Sequence, residues 1–314
     1  MKYTCASFFA GVGGIDIGFQ NAGMETIYAN EIDKYCFQTL NNNFSFRIDN
    51  QDIQKIDLNK LPIFDILLAG FPCQAFSVAG YQKGFQDPRG ALFFSLLKII
   101  KIKRPSILFL ENVKNLINHD NGTTFKYILS SLEMLGYNNH YQVMNSIEYG
   151  NIPQNRERLY IVSFLDHSIS KKFNFPNKIP LTTDINNIIN WDKKVEDYYY
   201  YSPKYIIYNQ LKDEISQENI IYQWRRKYVR KNKKGFCPTL TANMGTGGHN
   251  VPLIKTKYGI RKLTPRECFN LQGFPNSFIL PNTISNAQLY KQAGNSVVVP
   301  VIYRIATKIL ECLK

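Results

Sequence analysis

The sequence predicts an α/β fold, and two observations carry that prediction. Short apolar runs recur along the first half of the chain, and the stretches between them carry apolar residues at helical spacing. Glycines also stand where two of these helices are expected to end. Such alternation is typical of a parallel sheet with helices on both faces, although a closed α/β barrel would give the same pattern.

The first half of the chain gives the elements in order. Apolar residues between Ile15 and Ala22 recur at helical spacing, and Gly23 follows them where a C-terminal cap is expected. Further helices are predicted at 91–102 and 125–135, and Gly136 closes the second of these. Strands are predicted at 4–9, 26–30, 64–69, 106–110, 141–147 and 159–164.

The character of the sequence changes near residue 172, where the periodicity fades and Lys, Asn and Pro become frequent. A basic segment follows at 225–234, and Gly-rich turns follow it at 245–248. From residue 285 an apolar strand-and-helix pattern returns, through 297–301 and 303–313. We therefore predict a first domain at 1–172, a smaller and less regular domain at 173–284, and a C-terminal segment at 285–314.

The chain has 314 residues and a formal net charge of +14, with 44% hydrophobic and 20% charged residues. This hydrophobic content is ordinary for a globular protein and argues against disorder. The excess of Lys and Arg favours a polyanionic partner, although charge alone leaves nucleic acid an open question. No apolar run is long enough to span a bilayer and the N-terminus lacks the layout of a signal peptide, so we expect no membrane partner and a cytoplasmic protein.

The six cysteines are scattered, and none forms a C-x-x-C pair. Neither they nor the four histidines have the spacing of zinc ligands, so we expect no metal site. In a reducing cytosol a free cysteine is ordinarily a small, buried, apolar residue. Cys73 departs from that pattern because of its position.

A glycine-rich turn at 9–14 follows the first predicted strand and opens the first helix. Glycines there allow a tight turn and close approach to a ligand, next to the free N–H groups of a helix N-terminus. Glu31 ends the next strand, where its carboxylate could accept hydrogen bonds from ribose hydroxyls. Asp52 ends a third short segment and could accept one from an adenine amino group. Together they predict an adenosine-containing ligand, which is either a dinucleotide or S-adenosylmethionine.

Cys73 follows the apolar run 64–70, just beyond the carboxyl end of a predicted strand. Catalytic groups collect on such loops, whereas an inert cysteine is expected in the core. Only a small fraction of a free thiol is thiolate near neutral pH, so a nucleophilic Cys73 needs nearby cations or oriented dipoles.

Two further motifs carry charge. Glu111 ends the apolar run 107–110, so in a parallel sheet it points toward the same crevice as Cys73. A carboxyl buried beside a ring nitrogen can be held protonated by desolvation and can then donate a hydrogen bond. Arg156 and Arg158 alternate just before the strand at 159–164, which places both guanidinium groups on one face, suited to a phosphate or a pyrimidine carbonyl. The alternatives are a helix cap or surface ion pair for Glu111 and solvated surface charge for the arginines.

Taken in order, these motifs resemble those of the DNA cytosine-C5 methyltransferases of the bacterial restriction-modification type. The resemblance covers the whole chain except roughly 175–235, which corresponds to the family's variable target-recognition region. It implies a Rossmann-like, S-adenosylmethionine-dependent methyltransferase fold, with a mixed sheet, helices on both faces and a smaller, irregular target-recognition domain. The motifs are Phe9-Ala10-Gly11-Val12-Gly13-Gly14, Pro72-Cys73-Gln74, Glu111-Asn112-Val113, Gln154-Asn155-Arg156-Glu157-Arg158, Arg261-Lys262-Leu263-Thr264-Pro265-Arg266-Glu267-Cys268, Gln272-Gly273-Phe274-Pro275 and Gly294-Asn295-Ser296-Val297.

The resemblance also implies a mechanism. Cys73 would add to C6 of cytosine, so that C5 attacks the sulfonium methyl of S-adenosylmethionine, which leaves as S-adenosyl-L-homocysteine. Glu111 would hydrogen-bond N3 and the exocyclic amine, Arg158 would contact the base carbonyl, and Arg156 would support the loop and its charge balance. Because a stacked base cannot react in this way, the cytosine is expected to be flipped out, and the loop at 74–92 to close over it.

The same resemblance assigns binding residues and partners. Double-stranded DNA is the expected partner of a monomeric enzyme, and a cognate restriction endonuclease encoded nearby is expected to act on the same sites without direct contact. The residues expected at the cofactor are Phe9, Gly11, Val12, Gly14, Glu31, Ile32, Asp52, Ile53, Phe71, Pro72, Leu92, Asn295 and Ser296. The residues expected at the DNA are Gln74, Ser77, Arg89, Arg225, Arg226, Arg230, Thr239 and Leu240.

Three alternatives remain. A tRNA cytosine-C5 methyltransferase of the same family would share the catalytic motifs, although the long segment between residues 158 and 261 favours a DNA reader. A DNA-binding relative without turnover would be expected to lack Cys73 or Glu111, and both are present. A nicotinamide oxidoreductase would explain the glycine turn and Glu31, but not Cys73, Glu111 and the arginine pair together.

Overall fold

The computed structural model describes residues 2–72, 91–225, 227–232, 235–246 and 250–314. Contacts divide the chain into two compact units. The first contains Met1–Asn145, Glu157–Asn177 and Val301–Lys314, and the second contains Ser146–Arg156 and Lys178–Pro300. These borders differ from the predicted ones after residues 172 and 284, because Ser146–Arg156 packs with the second unit and the chain rejoins the first unit only at Val301.

The strands are numbered along the chain. They are β1 (Thr4–Phe8), β2 (Glu25–Asn30), β3 (Arg47–Asp49), β4 (Ile66–Ala69), β5 (Ile107–Val113), β6 (Asn138–Asn145), β7 (Gln154–Asn155), β8 (Glu157–Phe164), β9 (Tyr222–Trp224), β10 (Val229–Lys231), β11 (Cys237–Pro238), β12 (Leu253–Thr256) and β13 (Gly259–Lys262).

The α-helices are numbered in the same way, and short 3-10 turns lie between them. The helices are α1 (Gly14–Asn21), α2 (Lys34–Asn43), α3 (Ala91–Lys103), α4 (Thr123–Met134), α5 (Ser146–Tyr149), α6 (His167–Ser170), α7 (Tyr208–Glu214), α8 (Pro265–Asn270), α9 (Asn286–Asn295) and α10 (Val299–Cys312). The 3-10 turns are Ile53–Lys55, Leu58–Lys60, Lys114–Gly122, Ile185–Asn187, Asp197–Tyr199 and Ala242–Gly245.

The described strands of the first unit form one sheet in the order β3-β2-β1-β4-β5-β8-β6. The five strands from β3 to β5 are parallel, whereas β8 is antiparallel to both β5 and β6. The mixed sheet that the resemblance implies is therefore confirmed, and the all-parallel sheet expected from alternation alone is wrong at this edge. The connection explains the difference, because β6 is joined to β8 by a segment with one helical turn, α5, and no crossover helix.

The central strands are covered on both faces. All four residues of β4 are buried, and so are the first four residues of β5. Because successive side chains of a strand point to opposite faces, complete burial requires helices or loops on both sides of the sheet. These are the continuous apolar runs from which both strands were predicted.

The C-terminal segment differs from its prediction. The valine-rich run at 297–301 predicts a strand, but α10 begins within it at Val299, whose N–H donates to the carbonyl of Gln272 at 2.9 Å. Pro300 suits the first turn of a helix, and it cannot donate to a sheet. The strand predicted at 141–147 is likewise shifted to Asn138–Asn145, since Ser146 begins α5.

The order of the parallel strands places the switch point of the sheet between β1 and β4. The chain runs outward from β1 through β2 to β3 on one side, and from β4 to β5 on the other. Ligands of open α/β sheets bind in the crevice beyond the carboxyl ends of the strands at such a point. The turn at 9–14 follows the end of β1 directly, and the dipeptide Phe71-Pro72 follows the end of β4 after Gly70.

The second unit has its own sheet and core. Its described strands form an antiparallel sheet in the order β10-β9-β12-β13, and β11 pairs with β7 in parallel. The side chains packed in the core of this unit are Leu211, Ile215, Tyr222, Trp224, Leu253 and Ile260.

No helix in the described part of the chain is long and apolar enough to cross a membrane.

Candidate active site

The turn after β1 has room for a ligand. Phe9 and Gly11 both have positive φ angles, 54° and 58°, so the backbone turns sharply before α1 begins at Gly14. A Cβ atom at Gly11 would meet no atom within 4 Å, which leaves open space at this position. A non-glycine residue in the left-handed region is uncommon and is often found at functional sites.

Glu31 joins this turn to the end of β2. Its Oε2 atom accepts the N–H of Gly11 at 2.7 Å, and its Oε1 atom accepts the N–H of Asp33 at 2.8 Å. Burial raises the pKa of the Glu31 carboxyl, although the two backbone N–H groups oppose that change by favouring the charged form. Ile32, next in the chain, leaves 64% of its surface exposed, which is unusual for an isoleucine beside a buried carboxylate.

Several other predicted cofactor residues share one apolar cluster of the first unit. Ile53 and Phe71 are buried in it, and Phe9 and Leu92 pack against it while remaining partly exposed. Val12 is also buried, whereas Pro72 is exposed. The cluster thus places apolar surface beside the turn and Glu31.

Asp52, Asn295 and Ser296 have different surroundings. Asp52 caps the turn Ile53–Lys55, and its Oδ1 accepts the N–H of Gln54 at 3.0 Å. Asn295 is exposed and Ser296 is buried, and both belong to the second unit. Their roles at a cofactor stay predictions.

The structure brings Glu111 and Arg158 together. β5 and β8 are neighbours, with Val113 opposite Arg158. The Nε atom of Arg158 lies 3.2 Å from Oε1 of Glu111, and the two side chains are 15% and 12% exposed. The pair is therefore largely shielded from water, where a charge–charge contact is stronger than at the surface.

Asn112 is a site residue that the sequence interpretation did not assign, although it lies inside the Glu111-Asn112-Val113 motif. Its buried Nδ2 group donates to the carbonyl of Phe71 at 2.9 Å, and its Oδ1 atom accepts the N–H of Val113 at 2.8 Å. It therefore ties the end of β5 to the residue two positions before Cys73. Cys73 itself, with Gln74, Ser77 and Arg89, lies outside the described residues.

Arg156 does not share the surroundings of Arg158. It belongs to the second unit and is 2% exposed. Its guanidinium donates to the carbonyls of Leu240 at 2.7 Å and Gly294 at 3.1 Å, and also to that of Ser296. Alternation in sequence predicts two arginines on one face, but the chain passes from one unit to the other between them, so the prediction is wrong about their common surroundings.

The second unit contains an open cleft of about 630 Å³ with a basic lining. Arg225 and Arg230 are exposed there, and Nη2 of Arg230 donates to Oε1 of Gln223 at 2.6 Å across the β9–β10 pair. The hydroxyl of Thr239 donates to the carbonyl of Asn155 at 2.6 Å, also in the cleft. Three predicted DNA contacts thus line one surface, and Arg226 lies outside the described residues.

Leu240 differs from the other predicted DNA contacts. It is 1% exposed, and its side chain belongs to the buried core. Its N–H donates to Oε1 of Gln154 at 3.1 Å, and its carbonyl accepts from Arg156. A direct contact with DNA is therefore not available to it in this structure, because both its side chain and its backbone groups already have protein partners.

Comparisons with known proteins agree with this arrangement. The family model of C-5 cytosine-specific DNA methylases matches residues 3–311. The Type II methyltransferase M.Bsp6I of Bacillus sp. (strain RFL6) is 57% identical over 311 residues, covering 98% of this chain and 98% of that protein. The Type II methyltransferase M1.ScrFI of Lactococcus lactis subsp. cremoris is 42% identical over 327 aligned positions, covering 100% of this chain and 79% of that protein.

The fold has counterparts among solved structures. The Entamoeba histolytica methyltransferase EhMeth superposes with a TM-score of 0.76 at 20% identity, covering 100% of this chain and 99% of that one. This likeness supports the α/β methyltransferase fold, and the family match extends over nearly the whole sequence. The chain therefore belongs to the C-5 cytosine-specific DNA methylases, and it is an enzyme, a DNA (cytosine-5-)-methyltransferase.

Proposed function

We propose that this enzyme methylates C5 of a flipped-out cytosine within a specific short site of duplex DNA, through a covalent bond between Cys73 and C6. The observation that carries the proposal is the pairing of Glu111 with Arg158 at 3.2 Å. Asn112 bonds the same strand end to Phe71, two residues before Cys73 in the chain. The Glu111 carboxyl and the Arg158 guanidinium, together with the thiol of Cys73, which follows Phe71 by two residues in the sequence, form the set needed to activate a pyrimidine ring.

S-adenosyl-L-methionine is the proposed cofactor, and the residues of the first unit fit it. The open space at Gly11 admits a ligand against the backbone, and the Glu31 carboxylate stands next to it. The exposed surface of Ile32 offers an apolar contact for a purine ring. When bound, the cofactor supplies a methyl group on a sulfonium, the electrophile that C5 requires, and is left as S-adenosyl-L-homocysteine.

Glu111 and Arg158 prepare the base. Protonated Glu111 donates to N3 of cytosine and accepts from the exocyclic amine, which draws electron density from C6, and Arg158 donates to the base carbonyl. Both groups sit in a shielded position, where hydrogen bonds to developing charge are stronger than in water. Stabilisation of that charge lowers the barrier to attack at C6.

Cys73 forms and breaks the covalent bond. Its thiolate adds to C6, and the electron pair of the C5–C6 bond becomes available at C5. After C5 is methylated, its proton is lost to a base, the double bond reforms, and the thiolate leaves. Because the atoms involved are hidden in a stacked duplex, the cytosine has to leave the helix first.

The cleft of the second unit is proposed to bind the DNA. Arg225 and Arg230 are exposed on it, so their charges can meet phosphates or base edges. Gln223 holds the Arg230 guanidinium, which reduces the entropy that an arginine loses when it binds. An oriented arginine can also donate to O6 and N7 of guanine.

The relatives named Type II methyltransferases suggest the biological setting. We propose that the enzyme acts as a cytoplasmic monomer and protects host DNA against a restriction endonuclease of the same specificity. The tRNA methyltransferase alternative is tested with the substrate itself, because duplex DNA and tRNA can be offered in parallel with radiolabelled cofactor.

Replacing the nucleophile tests the mechanism. Cys73→Ala should abolish methyl transfer to duplex DNA, whereas Cys36→Ala, at a partly exposed cysteine of α2, should retain it. A duplex with 5-fluorocytosine at the target should trap wild-type enzyme covalently, since fluorine cannot leave C5 as a proton does. Turnover by Cys73→Ala would refute the adduct, and methylation of tRNA but not DNA would refute the proposed substrate. Sequencing of 5-methylcytosine in treated DNA identifies the site.

A further inference from the structure

One set of contacts in the second unit links two segments that the sequence predicts to bind different ligands, DNA and the cofactor. The recognition segment, residues 237–242, contains Thr239 on the basic cleft. The cofactor motif, residues 294–296, contains Asn295 and Ser296. The side chain of Arg156 bonds to both segments. The side chain of Gln154 bonds to the recognition segment and, through Gln272, is connected to Ala293, the residue before the cofactor motif.

Arg156 contacts both segments directly. Its Nη1 group donates to the carbonyl of Leu240 in the recognition segment at 2.7 Å. Its Nη2 group donates to the carbonyls of Gly294, at 3.1 Å, and Ser296 in the cofactor motif. A guanidinium presents its N–H groups in a rigid planar fork, so the two segments are held at a fixed separation.

Gln154 reinforces the same link. Its Oε1 atom accepts the N–H of Leu240 at 3.1 Å, and its Nε2 group donates to Oε1 of Gln272 at 3.2 Å. The Nε2 group of Gln272 in turn donates to the carbonyl of Ala293 at 2.7 Å, next to the cofactor motif. The recognition segment also pairs with β7, where the N–H of Cys237 donates to the carbonyl of Pro153 at 2.7 Å. These buried bonds leave little freedom for the recognition segment to move alone, because a broken buried bond is costly.

The two segments also touch without an intermediary. A Cβ atom at Gly294 would lie 2.1 Å from the carbonyl carbon of Thr241 and 2.4 Å from the backbone nitrogen of Ala242. Such distances mean that backbone packs on backbone at this point, with no space for even a methyl group. A displacement of Thr241 is therefore transmitted to Gly294.

We propose that Arg156 is a positioning residue that couples DNA recognition to cofactor binding. The inference rests on the proposed function and on the residues that the family resemblance predicts, Thr239 at the DNA and Asn295 and Ser296 at the cofactor. DNA that orders the recognition segment also orders the cofactor motif through Arg156, and cofactor acts on the recognition segment in return. Such coupling between two ligands is reciprocal by thermodynamic necessity.

The test compares the affinity for S-adenosyl-L-homocysteine with and without a duplex that carries the site found by methylation sequencing. We expect this duplex to tighten wild-type binding by on the order of tenfold, within the usual range of coupling between sites. Arg156→Lys keeps the charge but replaces the planar fork with a compact ammonium, so most of that tightening should be lost. The loss should appear as a smaller ratio between the two dissociation constants.

Arg261→Lys is the matched control. Arg261 is also a fully buried arginine of the second unit, but it bonds to the carboxylate of Glu267, with both distances 2.8 Å. If Arg156 had only a structural role, the two lysine variants would lower the melting temperature by similar amounts. Both would also show the same ratio between the dissociation constants measured without and with the duplex. Loss of the ratio in Arg156→Lys alone supports the proposal.

Hydrogen exchange of the wild-type enzyme gives a second measurement that does not depend on a variant folding. The duplex should slow exchange at 294–296, and S-adenosyl-L-homocysteine should slow exchange at 237–242. A wild-type enzyme that transfers methyl groups but shows neither the affinity ratio nor this protection would overturn the coupling and leave the proposed function intact. An enzyme that fails to methylate DNA would overturn the proposed function itself.

Discussion

Asp16, on α1, carries a charge that the fold opposes. Its carboxylate is completely buried, with Oδ2 accepting from the hydroxyl of Ser7 and Oδ1 from that of Thr26, both at 3.1 Å. Burial raises the pKa of Asp16 from its ordinary value of 3.8 to about 6, while the two hydroxyl groups partly oppose the rise. Asp16→Asn should therefore stabilise the protein at neutral pH, because an amide can bond to both hydroxyls without a charge.

The size and sign of the effect follow from linkage. Below pH 3.8 the carboxyl is protonated in both the folded and unfolded states, so the charge costs nothing. Above the folded pKa of about 6 it is ionised in both, and the difference of roughly two pKa units costs about 3 kcal/mol. At pH 5 the Asp16 carboxyl is ionised in the unfolded chain but mostly protonated in the folded protein, so the loss of folding free energy is about half as large.

Urea unfolding of wild type and Asp16→Asn at pH 5 and pH 8 measures this difference. The free energy gained from the substitution should be larger at pH 8 by about 1 to 1.5 kcal/mol. Asp57→Asn is the control, since it removes the charge of an exposed carboxylate in the same unit and keeps a capping side chain. A gain from Asp16→Asn that is equal at both pH values, or larger at pH 5, would refute the assignment of a raised pKa.

Three further predictions concern the reaction and the DNA. Asn112→Ala removes the bond to the Phe71 carbonyl, so trapping by a 5-fluorocytosine duplex should slow by about tenfold or more, as expected for a buried bond of 1 to 3 kcal/mol. Arg158→Lys keeps the charge but loses the fork, so kcat should fall by roughly 100-fold with a smaller change in KM for DNA. Replacing Arg225 and Arg230 by Gln should lower the slope of log Kd against log salt by about two, provided that each meets a phosphate.

Matched controls separate these effects from general damage. Lys114→Gln breaks an exposed ion pair with Glu157 near β8 and should leave kcat unchanged. Lys212→Gln removes an exposed charge of α7 and should leave the salt slope unchanged. A trapping rate for Asn112→Ala equal to that of wild type would contradict the role of the bond to Phe71. A kcat for Arg158→Lys equal to that of wild type would contradict the role of Arg158 in the reaction, and an unaltered salt slope would contradict the phosphate contacts of Arg225 and Arg230.

Much of the first unit could be predicted because burial leaves a clear pattern in the sequence. β4 and β5 are buried on both faces and therefore appear as uninterrupted apolar runs. The same pattern placed Phe71 just beyond β4, and it predicted that Glu111 ends a strand, whereas β5 continues through Glu111 to Val113. β3 was missed, since its three residues, Arg47–Asp49, have a mixed, partly exposed character.

The rest depended on contacts that no local pattern encodes. Arg156 and Arg158 look equivalent in sequence, yet one bonds to backbone carbonyls of the second unit and the other to Glu111. The basic segment predicted a DNA-binding surface but not the burial of Leu240, whose N–H bonds to Gln154, more than eighty residues earlier in the chain. The run at 297–301 has strand propensity, and tertiary packing together with Pro300 makes most of it helical.

The Glu111–Arg158 pair also bears on selectivity for cytosine. In the free protein each charge has the other as a partner, so the shielded site is electrically satisfied before a base arrives. An entering base has to replace or share that contact. A base that leaves either group without a partner binds less favourably, by a free energy comparable to that of breaking a buried ion pair. The loss is smaller here because both side chains are partly exposed. Cytosine N3 is an acceptor and the exocyclic amine is a donor, so Glu111 has to take up a proton, donate it to N3 and accept from the amine, while Arg158 donates to the base carbonyl. Thymine presents an N3–H donor and a second carbonyl at the same two positions. With the Glu111 proton on the oxygen that faces N3, thymine would set a donor against a donor and an acceptor against an acceptor, so the pair disfavours thymine without any steric block.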